Sequence, residues 1–261
     1  MRFYLELEVN RNNTEGILPL NYQYELSSWI YKTLNHGDPE FAEWLHSSGY
    51  TNEKKQFKLF TFSQFFIDKY KRNHDRLKIL SNKAGLIISF YPIEAIQPFI
   101  NGLFNKQEFT IGDKFTKTEF KVAKVEKQKA PEFKDEMEFK CISPILLSSY
   151  DKDKGGYAQY LAPQDEHYEK LFFNNLKNKY ASFYGEKNAF DKTKLSIQLR
   201  NTPKSRLVKI KAGTPAESQI KGYQFNFKIN APKELLKIGY HAGFGEKNSI
   251  GFGCVEKSFA Y

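Results

Sequence analysis

Over residues 2–9 apolar and charged positions alternate, the period of a strand with one buried face. Residues 10–19 read as a polar loop. Leu26, Trp29, Ile30 and Leu34 then recur at helical spacing, which predicts a helix over 21–35. Gly37 closes it, Asp38 can cap the next, and Pro39 fits a first helical turn. That second helix is short, about 39–47, with Phe41, Trp44 and Leu45 expected on its core face. Residues 57–63 and 85–91 read as strands, Pro92 opens a helix through Phe104, and 108–126 is rich in strand.

A polar stretch over 127–132 looks like a linker, and the same order of elements follows it. A strand is expected near 137–144 and a long helix near 163–183, then strands near 194–200, 206–211 and 221–229. A helix is expected after Pro232 and a last strand near 250–258. Two βαββαβ units predict an α+β protein of two tandem ferredoxin-like domains, 1–128 and 129–261. A cleft between two such domains is the expected place for a ligand.

Length and composition bound the remaining options. The chain has 261 residues, 40% of them hydrophobic, which suits folded domains and not a disordered protein. Its two cysteines, Cys141 and Cys254, form no disulfide framework and no metal-binding spacing, which fits a reducing, cytoplasmic setting. No signal peptide or membrane-length apolar run is apparent. Forty Lys+Arg against 30 Asp+Glu leave a net charge of +10, so a polyanion is the default partner. Only Arg2, Arg11, Arg72, Arg76, Arg200 and Arg206 are arginines, so most of that charge is lysine, which attracts phosphate without reading bases. A solvated basic surface is the plainer reading of the same numbers.

The sharpest local signal lies over 239–253, with five glycines in fifteen residues: Gly239, Gly243, Gly245, Gly251 and Gly253. The spacing matches neither a Walker A loop nor a Rossmann fingerprint. Glycines let backbone N–H groups approach a phosphate, Lys247 adds charge, and Asn248 and Ser249 add donors. A tight helix-to-strand turn would account for one or two of these glycines, but hardly for five with a lysine among them. The run from Gly243 to Gly253 (GFGEKNSIGFG) closely resembles the C-terminal signature of the CRISPR-associated repeat-RNA endoribonucleases, the Cas six family of repeat-associated RNA-binding ferredoxin-like proteins. Leu18 to Tyr24, Ile30-Tyr31 and Lys58 to Phe62 are similar to that family's opening helix and following strand.

The resemblance implies cleavage of CRISPR repeat RNA into guide RNAs without a metal or other cofactor. The ribose 2′-hydroxyl attacks the adjacent phosphate, leaving a 2′,3′-cyclic phosphate and a 5′-hydroxyl. Such chemistry needs a base, an acid and positive charge near the phosphoryl oxygens. The resemblance points to His46 as the catalytic histidine, Tyr31 as the tyrosine of the first helix, and Lys58 as the lysine opening the next strand. The helical stripes agree in part, since Tyr31 and His46 each lie one step off the apolar positions of their helices. His46 also ends its helix, where the dipole favours imidazolium. The plainer readings are a helix-capping histidine, a core-edge tyrosine and a solvated lysine, with Lys54 or Lys55 an alternative to Lys58.

Other basic groups are expected to hold RNA. Arg206, Lys209 and Lys211, with Lys204 just before, are read as one strand face, beside Gly243, Gly245, Lys247, Asn248, Ser249 and Gly251 of the glycine run. His241 is the rival histidine. The run from Lys69 to Lys78, which includes Lys71, Arg72, His74 and Arg76, is expected to be a mobile loop that either clamps RNA or is merely solvated. The implied partners are single-stranded or hairpin repeat RNA and a CRISPR effector complex, with homodimerisation left open and no membrane. The alternative function is a non-catalytic RNA-binding subunit of a CRISPR ribonucleoprotein.

Overall fold

The computed structural model describes residues 1–150, 158–187, 189–190, 193–211 and 214–258. Within it the chain forms two compact units. The first comprises Met1–Ser47 and Ser63–Ala130, the second Ser48–Phe62 and Pro131–Tyr261. Each is built on a ferredoxin-like plan, so the chain is a tandem of two such folds, as the repeated element order predicts.

In the first unit, Arg2–Asn10 lies between Lys83–Phe90 and Lys117–Gln128, antiparallel to both, and Glu108–Gly112 adds an edge. Helices α1 (Gln23–Gly37), α2 (Pro39–Ser47) and α3 (Ile96–Asn105) complete it. The predicted cap is present: the Phe41 N–H donates to Asp38 Oδ1 at 2.9 Å and opens α2 one residue after α1 ends. Backbone touches backbone between α1 and α3. A Cβ at Gly37 would collide with the Pro98 carbonyl, and one at Gly102 with the Thr33 carbonyl.

Several local expectations change. Trp44 is 40% exposed, and Ala42 and Leu45 make the buried face of α2. Helix α3 begins at Ile96, four residues after Pro92. The basic run that was expected to be a loop is a hairpin, Tyr70–Asn73 with Arg76–Ile79, extended by Ile17–Pro19 from the supposed polar loop. Its turn is made possible by His74, which adopts φ 49°. Arg76 donates to Asp113 Oδ2 at 2.6 Å and to Thr116 Oγ1 at 3.0 Å, so its fork is engaged within the unit.

In the second unit Asn226–Asn230 pairs with Glu136–Cys141 on one side and Ser196–Leu199 on the other, and Val255–Lys257 closes the far edge. Helices α4 (Tyr168–Tyr184) and α5 (Lys233–Ala242) supply the crossovers. The hairpin Lys204–Ile210 with Ser218–Gln224 is an insertion, and the stretch 221–229 divides around buried Phe225. Phe244 packs flat on Phe172 of α4, with centroids 5.5 Å apart and planes at 11°. Residues 48–62 belong here by contact, although they fall within the predicted N-terminal half. Asn52 Nδ2 donates to Asn178 Oδ1 at 3.0 Å, Tyr50 meets Phe183, and Thr61 Oγ1 donates to the Phe252 carbonyl at 2.9 Å. Both cysteines are buried, and burial pushes the Cys141 thiol up to about 12, which makes it inert. Among the described residues, no helix is long and apolar enough to cross a membrane.

Candidate functional site

Two clusters gather the residues singled out in the sequence, one in each unit. In the first unit α1 and α2 join with only Asp38 between them, which brings Tyr31 and His46 into contact. Their rings meet edge to face, with centroids 5.1 Å apart and planes at 88°. His46 is exposed in the last turn of α2, and Tyr31 is half-buried on α1. A phenol and an imidazole therefore share one surface, and each can exchange a proton or hold a hydroxyl.

Lys58 belongs to the second unit. There it lines a pocket of about 450 Å³ with Lys55, Asn175, Lys179, Lys247, Asn248 and Ser249. Burial lowers the Lys58 pKa from the ordinary lysine value. The next residue, buried Leu59, has φ 49°, an unusual conformation for a bulky side chain. It breaks the strand predicted over 57–63 into Lys55–Phe57 and Phe60–Phe62 and kinks the chain beside Lys58. Such strain persists where the surrounding fold over-determines it. Asn175 lies on α4 and is only 8% exposed, and its Oδ1 has no hydrogen-bond partner among the described residues. A buried acceptor of this kind can be completed by an ordered water or by a ligand donor such as a hydroxyl or amine.

The glycine-rich run is a tightly folded loop after α5. Gly243, Gly245, Gly251 and Gly253 all have positive φ, and Gly239 is pressed against the Phe244 ring. Conformation thus accounts for four of the five glycines and close packing for the fifth, where the sequence reading allowed such a turn one or two. The N–H groups of Phe244, Glu246 and Gly253 donate to the carbonyls of Gly253, Leu146 and Pro144 at 2.7–2.9 Å, and those of Ile250 and Gly251 close a 3₁₀ turn. These five amides are engaged inside the fold, which narrows the phosphate cradle expected from the sequence. Lys247 stands exposed at the tip with φ 57°.

The centre of the loop is occupied by Lys179, a residue the sequence reading passed over. Its ammonium donates to the Gly243 carbonyl at 2.5 Å, the Gly245 carbonyl at 2.7 Å and Asn248 Oδ1 at 2.7 Å. Burial pulls its pKa down to about 7, against the attraction of Glu246. Asn248 in turn donates through Nδ2 to the carbonyls of Phe244 at 3.1 Å and Phe252 at 2.9 Å. The signal was present: Tyr168, Phe172, Leu176 and Lys179 follow one helical stripe, which places a lysine among core positions.

The other predicted contacts are dispersed. Arg206 lies opposite Gly222 and Lys209 opposite Gln219, three residues along the strand, so the pleat turns them to opposite faces. Arg206 donates to Gln224 Oε1, Lys209 pairs with Glu217 at 3.5 Å, and Lys211 lies past the strand end with φ 52°. The single basic face expected from the sequence is therefore not formed. His241 is 6% exposed and packs near Phe133, a core position on α5.

Comparisons with known proteins bear on the family and the fold. Residues 126–257 match the family model described as CRISPR associated protein Cas6, C-terminal. Residues 17–126 match CRISPR-associated protein Cas6, N-terminal. The chain is 32% identical over 252 residues to CRISPR-associated endoribonuclease Cas6 1 of Methanocaldococcus jannaschii, covering 96% of this chain and 91% of that one. It is 31% identical to a putative CRISPR-associated endoribonuclease-like protein Cas6 of Pyrococcus furiosus, covering 98% of each. A solved structure titled as a RAMP protein binding different RNA substrates superposes with a TM-score of 0.83 at 26% identity, covering 99% of this chain and 100% of that one.

Proposed function

The chain belongs to the CRISPR-associated Cas6 family, and from that premise we propose that it is an endoribonuclease that cuts CRISPR repeat RNA by internal attack of a ribose 2′-hydroxyl. In that step the O2′–P bond forms as the P–O5′ bond breaks. The 2′-hydroxyl proton passes to a base and a proton is delivered to the leaving O5′, so the charge balances with no metal. The observation that carries this reading is the exposed His46 imidazole in contact with Tyr31. His46 takes the 2′-hydroxyl proton as O2′–P forms, and the resulting imidazolium returns a proton to O5′ as it leaves. Tyr31 orients the 2′-hydroxyl or a phosphoryl oxygen through its own hydroxyl.

Lys58 has a different assignment from the catalytic one given by the resemblance. It shares its pocket with Lys55, Lys247, Ser249 and the orphan acceptor of Asn175, a set suited to an RNA phosphate and a neighbouring 2′-hydroxyl or base amine. Lys58 and Lys247 are therefore proposed as RNA-holding residues, with the net charge of +10 supplying general attraction. The test is cleavage of an end-labelled repeat RNA from the neighbouring locus in EDTA, beside the same RNA with one 2′-deoxy at the cut. The expected result is a 2′,3′-cyclic phosphate product from the all-ribose substrate and none from the deoxy one. Tight binding with no cutting of either would replace the enzyme by an RNA-binding subunit. Cutting of the deoxy substrate would rule out internal attack.

A further inference from the structure

We propose that Lys179 and Asn248 are positioning residues that lock the glycine-rich loop from within, so that Lys247 at its tip is preset to meet RNA. This rests on the reading that the loop holds RNA, but the lock itself is internal to the fold.

The geometry is that of a fully coordinated internal cation. An ammonium has three hydrogens, and three loop oxygens receive them: the carbonyls of Gly243 and Gly245 and Asn248 Oδ1. Lys179 is 2% exposed, and with all three ammonium hydrogens given to the loop it has no donor left for a ligand in the pocket it lines. Asn248 is equally committed. Its oxygen accepts from Lys179, and its amide donates to Phe244 and Phe252 across the loop. The sequence reading counted Asn248 among the RNA donors, whereas both of its expected donors already have carbonyl partners here. One cation and one amide thus tie residues 243–252 to α4, and exposed Lys247 lies inside that span.

A structural lysine of this kind is replaceable only by a group with the same donors. Methionine keeps an unbranched side chain only one atom shorter and removes all three. Arginine keeps the charge but presents a planar fork that cannot converge on three oxygens in this space.

The experiment is amide exchange on the intact chain, comparing wild type with Lys179→Met and Asn248→Ala, together with RNA affinity at fixed salt. Protection at the Glu246 and Gly253 amides should fall at least tenfold in either variant, while the strand Asn226–Asn230 keeps its protection. Should Lys179→Met lose the sheet as well, Asn248→Ala decides, because it removes one of the three oxygens and leaves the buried ammonium with two. Unchanged loop protection in a folded variant overturns the proposal. For RNA, Lys179→Met should raise KM about tenfold with kcat retained at saturating RNA, and adding Lys247→Ala should cost nothing further. Multiplying losses would mean that Lys179 contacts RNA itself, and would overturn the positioning role. If Lys247→Ala alone leaves affinity unchanged, the RNA reading of the loop fails, while the exchange result still decides the lock.

Discussion

The His46 and Tyr31 rings meet edge to face, with centroids 5.1 Å apart and planes at 88°. The contact exists because Gly37, Asp38 and Pro39 turn the chain from one helix into the next within three residues. A T-shaped aromatic contact holds the two rings in a fixed mutual orientation. That arrangement suits a histidine that is presented to substrate in one orientation.

Tyr31→Phe keeps the ring contact and removes only the hydroxyl. Cleavage should slow by about tenfold to a hundredfold, with RNA affinity within about threefold of wild type, because one orienting hydrogen bond to a charged group is worth about 1.5–3 kcal/mol. Single-turnover rates at saturating protein measure this directly. An unchanged rate would leave Tyr31 as packing for His46.

Lys58 and Lys247 are assigned to phosphate, so their loss should alter the salt dependence of binding. Each phosphate neutralised contributes about −0.7 to the slope of log affinity against log salt for a single strand. Lys58→Ala and Lys247→Ala should each make the slope shallower by about that amount, measured by filter binding from low to moderate salt. A parallel shift with unchanged slope would mean that the lysines act on shape and not on phosphate.

Gly253 and Gly185 make a controlled pair. Both have left-handed backbone, φ 78° and φ 72°. A Cβ at Gly253 would collide with the Phe244 carbonyl, whereas one at Gly185, after α4, would meet nothing within 4 Å. Gly185→Ala should cost about 1–2 kcal/mol from the backbone alone. Gly253→Ala should cost more, because the loop must also shift. Thermal unfolding separates them, since about 1 kcal/mol moves the midpoint by about 2–4 °C in a chain of roughly this size. Equal losses would mean that the loop yields freely.

Lys179 gives a pH dependence with a definite sign. Its folded pKa of about 7 lies below the 10.5 of an unfolded lysine. Between those values the unfolded chain binds the proton more fully, so this group's contribution to stability rises with pH and its burial cost is felt in full below pH 7. Glu246 on the loop opposes the shift, and Lys58 and Lys247 line the same pocket. The stability of wild type relative to Lys179→Met should therefore increase from pH 6 to pH 10 in denaturant titrations. A constant difference would place the proton on Lys179 throughout.

Much of this architecture is legible where the chemistry is local. Asp38 before Pro39 announces a capped helix, and the alternation over 2–9 makes a central strand. What is not legible depends on partners distant in sequence. Trp44 follows the helical stripe of α2, yet packing turns Ala42 and Leu45 inward instead. Leu59 takes a conformation that leucine rarely adopts, so no pattern foretells the kink beside Lys58. Lys179 falls on the buried stripe of α4, but what makes a lysine tolerable there, the oxygens of Gly243, Gly245 and Asn248, lies more than sixty positions away. The five glycines signal a special loop, but sequence alone does not separate glycines that fold it from glycines that bind.

The most direct measurement is single-turnover cleavage of repeat RNA in EDTA by wild type and His46→Ala, with affinity measured in parallel on a 2′-deoxy substrate. The account predicts that His46→Ala slows cleavage by about 10²–10⁴-fold and leaves affinity within about threefold. Cleavage at the wild-type rate by a folded His46→Ala would contradict it and remove His46 from the chemistry.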